Sequence, residues 1–308
     1  MAHAPTRDEA IAKLSKACSK TISLKGPVTN LHFVNAIVTS EVFAQGVTLT
    51  TFIDTAFTYQ ACGIDVISPG AYSTIQDFPG RPRTGYGVPR SGPMDSISSR
   101  IANLLVGNDE HKELVEITLV GPELLFTAPA VIAVCGASVP VDVDHNEQPM
   151  WSSLVIQRGQ TLKIGSVRDV GCRVYLAVRG GFPNVPEFLG SKSTTPSLKF
   201  GGYQGRPLLT GDFLELDERT STWAAEAVNR TVPPAMRPDL GTSEVYVLQG
   251  PHDTSDIMTD PDREMLYGTD WKVGHNSSRT GVRLEGPTPQ WARASGGEGG
   301  SHPSNYLE

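Results

Sequence analysis

The feature that most constrains this chain is its punctuation. Short runs rich in Val, Ile and Leu at 64–67, 114–119, 124–126, 131–135, 139–143, 162–164, 174–178 and 213–216 are separated by turns carrying Gly, Pro, Asn and Asp. Runs of this length are strands, and 31 Gly and 23 Pro in 308 residues favour tight turns over a helical bundle. The spacing predicts a mainly β chain with a few helices, its strands closed or nearly closed into an antiparallel barrel over residues 64–220.

Residues 85–108, GYGVPRSGPMDSISSRIANLLVGN, run from a loop dense in Gly and Pro into an amphipathic helix. Gly87, Pro89, Gly92 and Pro93 alternately free and fix the backbone, so the loop holds Arg90, Ser91 and Asp95 in place. Asp95 is first a helix cap, with Ile97, Ile101, Leu104 and Leu105 as the expected buried stripe and the helix across one barrel opening. At the N-terminus, Thr6 and Glu9 form a capping-box pattern for a helix carrying Ile11, Leu14 and Cys18, stopped by Gly26-Pro27; Asn30 caps a second over 31–40. Four segments follow: a short helical piece at 1–60, the barrel at 64–220, a Pro- and Thr-rich linker at 221–241, and 242–308. In the last, EVYVLQGP at 244–251 echoes GIDVISPG at 63–70, and VRLEGP at 282–287 echoes EITLVGP at 116–122. The ordered echo predicts a second barrel of which only the early strands are present, so the chain reads as cut short.

A net charge of −7 without a Lys/Arg cluster argues against nucleic acid. Cys18, Cys62, Cys135 and Cys172 form no CxxC pair, and His252, His275 and His302 lie far apart among turn residues; no metal site or disulfide framework is expected. No apolar run reaches the length of a bilayer, and Asp8 and Glu9 interrupt the presequence-like Lys13, Lys16 and Lys20. These features point to the cytoplasm, with no membrane partner.

Two resemblances emerge from longer motifs. TRDEAIAKLSKACSKTISLKGPVTNLHFVNAIVTSEVFAQGVTLTTFI, at 6–53, resembles the closing segment of a biotin carboxylase domain, without that enzyme's glycine-rich and catalytic stretches. SPGAYSTIQDFPGR at 68–81, GVPRSGPMDSISSRIANLLVGN at 87–108, LAVRGGF at 176–182 and LGSKSTTPSLKFGGYQGRPLLTGD at 189–212 resemble the allophanate hydrolase subunit 2 family, the first half of a urea carboxylase carboxyltransferase domain. QGPH at 249, SSRTGVRLEGP at 277 and GGEGGSHPSN at 296 continue it. The resemblance implies a cyclophilin-like β-barrel, and carboxyl transfer from carboxybiotin to urea, giving allophanate. It also implies biotin supplied by a carrier domain on another segment or chain, a second carboxyltransferase half, and ATP used only in the missing carboxylase core. Alone, such a fragment is expected to be inactive. The alternative within the family is a regulatory or interaction subunit, or a component of 5-oxoproline breakdown.

That chemistry needs cations or N–H donors where negative charge gathers, and a group that takes a urea proton. Arg90, Asp95, Arg179 and Lys192 are the catalytic candidates; Ser91, Gly180, Gly181, Ser191, Ser193, Lys199, Arg206, Gln249, Glu298 and His302 are candidates to bind substrate or biotin. Arg179 ends an apolar strand before two glycines, so its amides and guanidinium are both available to a ligand; the alternative is an Arg bridging a loop. Ser191-Lys192-Ser193 is not a phosphate loop, because no Gly-Lys-Ser/Thr step exists.

Overall fold

The Thr6 hydroxyl accepts the Glu9 N–H at 3.3 Å, satisfying a donor that a helix start leaves orphaned. The helix it begins, α1 (Arg7–Lys16), carries Asp8 and Glu9 in its first turn and Lys13 and Lys16 in its last, the arrangement its dipole favours. Helices α2 (Leu31–Thr39), α3 (Glu41–Ala44) and α4 (Phe52–Thr55) follow. Arg7 donates to the carbonyls of Phe43 and Ala44 and lies over the Phe43 ring, tying α1 to the end of α3. Asn30, the expected cap of α2, makes no side-chain capping bond.

The computed structural model describes residues 1–18, 30–47, 50–55, 57, 61–82, 85, 87–227, 229–241, 244–250, 253–279 and 281–292; the expected Gly26-Pro27 stop lies outside them. The chain divides into two units, Met1–Gly241 and Thr242–Glu308. Among the described residues no helix is long and apolar enough to cross a membrane.

The first unit is predominantly antiparallel β, as expected. Its elements run β1 (Gly63–Ser68), β2 (Tyr72–Gln76), α5 (Ser96–Val106), β3 (Leu114–Thr118), β4 (Glu123–Phe126), β5 (Ala130–Gly136), β6 (Val141–Val143), β7 (Asn146–Glu147), β8 (Ser153–Ile156), β9 (Thr161–Ile164), β10 (Arg173–Val178) and β11 (Phe213–Glu215). The ladders form two sheets, ordered β11-β1-β4-β9-β6-β7 and β2-β3-β10-β5-β8. Between them lies one core, with Ile64, Val66, Leu124, Phe126 and Leu162 from the first sheet meeting Ile75, Ile117, Ile132, Val134 and Leu176 from the second. Burying each such side chain contributes about 1.5–3 kcal/mol.

Strand β5 reads as an unbroken apolar run because both of its faces are covered. Ala130, Ile132 and Val134 point into the core, while Val131, Ala133 and Cys135 point the other way, beside Tyr175 and Ala177 of β10. Helix α5 covers that second face with Ala102, Leu105 and Val106. This corrects two expectations. The helix lies on the outer face of the five-stranded sheet, not across a barrel opening, and Ile97 and Leu104, 54% and 52% exposed, are not in its buried stripe. The small Ser98 and Ala102 let the helix sit close on alanine-bearing strands, so shape decides its orientation over apolarity.

Residues 221–241, expected as a linker, pack onto the first unit. Thr220 opens α6 (Thr220–Ala225), is fully buried, and donates to the Pro129 carbonyl. Further on, Arg230 exchanges hydrogen bonds with Ser153, and Val232 N–H donates to Trp151. Buried backbone has to be paired, and this segment finds its partners on the edge leading into β8.

In the second unit α7 (Asp260–Gly268) begins in a reciprocal Thr259–Asp262 capping box, and buried Asp262 also accepts the Gln290 and Trp291 N–H groups. Strands β12 (Lys272–Val273) and β13 (Leu284–Glu285) pair antiparallel. The expected strand at 244–251 forms no ladder among the described residues, and Val245, Tyr246, Val247 and Leu248 stand exposed.

Candidate functional site

Two loops of the first unit are joined by a network of buried polar groups. One follows β2 and runs through Arg90 to α5; the other carries Ser191 to Thr195. Asp77 is the first junction: its carboxylate accepts the hydroxyls of Ser191 and Ser193 and the Lys192 N–H, while its own N–H donates to the Ser193 hydroxyl at 3.0 Å. Gln76 is the second. Its Oε1 accepts the Gly92 N–H at 3.1 Å, and its Nε2 donates to the Thr194 carbonyl at 3.2 Å and to the Thr74 hydroxyl at 3.0 Å.

Arg81 is the third junction. It is fully buried, donates through Nη1 to the Thr195 hydroxyl at 2.8 Å and through Nη2 to the Ser193 carbonyl, and stacks 4.7 Å from the centre of the Phe200 ring. Its Nε is buried without a partner among the described residues, and burial lowers the guanidinium's affinity for its proton. The Arg81 N–H donates to the Arg90 carbonyl at 2.7 Å, the Arg90 Nε donates back to the Pro79 carbonyl at 2.9 Å, and the Ser91 and Thr195 hydroxyls meet at 2.8 Å. Ser91 itself is held at a φ of 56°, a conformation that costs a non-glycine residue.

The start of α5 is anchored from the sheet below. Buried Glu116 accepts the Met94 N–H at 2.7 Å and the Tyr175 hydroxyl at 3.0 Å, and that hydroxyl in turn accepts the Asp95 N–H at 2.6 Å. Burial pushes the Tyr175 hydroxyl's pKa up, so it stays a donor to Glu116. Asp95 caps the helix as expected, accepting the Ile97 and Ser98 N–H groups at 3.0 Å.

The structure thus brings Arg90, Ser91, Ser191, Lys192 and Ser193 onto one connected pair of loops. Of these, Arg90 is the exposed cation, and no acceptor occupies its terminal nitrogens among the described residues. Lys192 is already engaged, bonding to Glu113 at 2.8 Å and to the Phe182 carbonyl at 3.0 Å. Arg206 is held bidentate by Asp212, both bonds at 2.7 Å. Lys199 is exposed in a left-handed turn after Pro196–Leu198.

The backbone amides of Arg179 and its glycines, though not the Arg179 guanidinium, are placed differently from the expectation. The Arg179, Gly180 and Gly181 N–H groups donate to Val131, Asn108 and Val178, so none of the three faces a ligand. Gly180 and Gly181 have φ of 86° and 64°, and a Cβ would lie 2.5 Å from the Trp223 ring and 2.6 Å from Glu113 Oε1 respectively. Protein groups, packed this closely, demand glycine there. Gln249 lies in the second unit, exposed, with its side chain bonded to the Asp253 carbonyl. Glu298, His302 and His252 lie outside the described residues, His275 is exposed, and no cluster of metal-ligating side chains occurs among the described residues.

Sequence reasoning passed over Gln76, Asp77, Arg81, Glu113, Glu116 and Tyr175. The first three stand inside the 68–81 motif, which was the available signal; the others sit in strands or beside them and become partners only through the fold.

Residues 86–308 match the family described as carboxyltransferase domain, subdomain A and B. The Saccharomyces cerevisiae urea amidolyase is 40% identical over 98% of this chain and 16% of its own length. The crystal structure of the Kluyveromyces lactis urea carboxylase superposes with a TM-score of 0.85 at 40% identity, covering 98% of this chain and 27% of that one. One of the subunits of the Escherichia coli 5-oxoprolinase is 31% identical over 72% of this chain and 68% of its own. The chain therefore spans about a quarter or less of the first two. On its own fold, its motifs and these matches, it belongs to the carboxyltransferase domain family.

Proposed function

We propose that this chain is a segment of a biotin-dependent urea carboxylase that carries part of the carboxyl-transfer site, where a carboxyl group passes from carboxybiotin to urea to give allophanate. The observation that carries the reading is the extent of the match. Urea amidolyase and urea carboxylase align along 98% of the chain, including most of the stretch before residue 86 where the carboxyltransferase match begins, whereas the 5-oxoprolinase relative aligns with 72%. Within that early stretch, residues 6–53 are the part resembling the end of a biotin carboxylase domain.

Carboxybiotin is here a substrate, delivered on a carrier domain, and it supplies the carboxyl group together with a ureido oxygen that gathers negative charge as the group leaves. The donor set fits that need in part. Arg90 offers a guanidinium whose terminal nitrogens meet no acceptor among the described residues, on a loop whose backbone is fixed by Arg81, Gln76 and Glu116. Donors fixed before the charge develops stabilise it without reorganising, which is where such sites gain most. Ser91 stands beside it as a hydroxyl donor or acceptor. Lys192, Ser191 and Ser193 support this loop through Glu113 and Asp77 and leave their charge and hydroxyls inside the protein. The second carboxyltransferase half supplies the remaining wall.

In a complete carboxylase carrying this segment, Arg90→Ala lowers urea-dependent carboxyl transfer by about 10²-fold, the scale of losing one charge-stabilising donor, and leaves ATP-driven carboxylation of biotin unchanged. Transfer at the parent rate would return the loop to scaffolding. Turnover with 5-oxoproline in place of urea would overturn the substrate.

A further inference from the structure

The structure assigns a small-carboxylate site at the end of α5 remote from Arg90, between Arg179 and Arg230. This inference stands apart from carboxyl transfer and does not depend on it. A pocket of about 140 Å³ opens there, with Leu105, Val106 and Val131 as an apolar floor and Arg179, Arg230 and Glu226 at its rim. Both guanidinium groups converge on one point beside Gly107: from the position a Cβ would take on that glycine, Arg230 Nη1 is 3.6 Å away and Arg179 Nε 3.9 Å. A carboxylate centred near that point has an oxygen to offer each guanidinium, in charge-assisted bonds of about 2.8 Å.

Compensating the helix dipole explains only one of the two. Arg230 donates to the Leu104 carbonyl at 3.1 Å, in the last turn of α5, as a cation at a helix C-terminus should. Arg179 makes no such bond; its guanidinium has no acceptor among the described residues and is held by stacking on Trp223, 5.3 Å from the ring centre. The other arginine over that ring, Arg219 at 4.8 Å, is by contrast neutralised by Asp217. Glu226 forms no ion pair with Arg179 or Arg230 among the described residues, so two positive groups share the rim with one unpaired carboxylate. Two like charges lining one pocket favour an anion between them. The apolar floor gives an alkyl group contact beside the two guanidinium groups, so the ligand class is a short aliphatic carboxylate.

Trp223 reports on the site. Propionate titrated into the purified chain at constant ionic strength should change its tryptophan fluorescence saturably in the millimolar range, and propionamide should not. The change should disappear in Trp223→Phe and weaken at least tenfold in Arg179→Gln, with the far-ultraviolet circular dichroism retained. Should Arg179→Gln fail to fold, Arg230→Gln decides, since that side chain is exposed. A response that does not saturate, that propionamide reproduces, that phosphate exceeds at the same ionic strength, or that survives loss of the deciding arginine overturns the assignment.

Discussion

Cations that look alike in the sequence are separated by what the fold sets against them. Arg90, Lys192 and Arg206 each lie within a few residues of glycine, yet Lys192 meets Glu113 and Arg206 meets Asp212, while among the described residues Arg90 bonds only through Nε to a carbonyl. A cation satisfied inside the protein stabilises the loop it belongs to, and one left with open donors is available to substrate. Arg219 is another engaged cation, and its pairing has a pH signature. Its side-chain hydrogen bonds, with smaller help from its backbone N–H, hold the Asp217 carboxyl at about 2, below the ordinary 3.8. A depressed carboxylate contributes stability that is complete above its unfolded value and lost as pH falls through the folded one. The difference in urea midpoint between the parent chain and Arg219→Gln should therefore be constant from pH 7 to about 5 and shrink between about pH 4 and 2. A difference that stays constant across that acid range would show that the pair adds no pH-dependent stability. Such partnerships were only half legible. Gln76, Asp77 and Arg81 stand inside the 68–81 motif without being singled out by it; their partners lie more than a hundred residues on, at 191–195, and no local pattern announces a pairing over that distance.

Among the elements, α5 shows where patterning succeeds and where packing overrides it. Its start at Asp95 and its end at Gly107, which takes a left-handed φ of 81°, follow from the capping preferences of those residue types. The buried face does not follow from apolarity. Ile97, Ile101 and Leu104 recur at helical spacing, but the sheet below presents Ala133, Ala177 and the Tyr175 ring, and the face that fits it is Ser98, Ala102, Leu105 and Val106. The strands were legible where both faces are apolar, as in β5 and β10. Strand β2 was not, because it buries Ser73, Thr74 and Gln76, whose hydrogen bonds replace the apolar signal. Leu105 is 7% exposed and Leu104 52%, which makes neighbouring leucines a direct test. Leu105→Ala should cost about 2–4 kcal/mol by leaving a cavity against the sheet, and Leu104→Ala should change stability by less than about 0.5 kcal/mol. Equal losses in urea denaturation would mean that the helix is rotated from the orientation described.

For the whole molecule, the two units differ in how their backbone is satisfied. The first has two sheets around a shared core, with even the 221–241 segment bonded along residues 151–153. In the second, the described ladder is the two-residue pairing of β12 with β13. Residues 244–250 are exposed throughout, with Tyr246 at 90% and Leu248 at 96%. A protease needs an extended, accessible backbone of several residues, and cleavage concentrates where local opening costs least. Brief chymotrypsin treatment of the purified chain should therefore cut first at Tyr246 or Leu248, before any site in the two sheets, leaving a resistant product that begins at Met1 and ends there. The apolar spacing of EVYVL explains why the sequence suggested a strand at this point: it has the side chains of one, and a strand also needs a neighbour for its N–H and C=O groups. If that neighbour comes from the second carboxyltransferase half, adding that half should slow cleavage at Tyr246 and Leu248 selectively. A first cut within β1 to β11 would show that the segment is not the most accessible part of the chain, and cleavage at 246–248 unaffected by the added half would show that the segment does not pair with it.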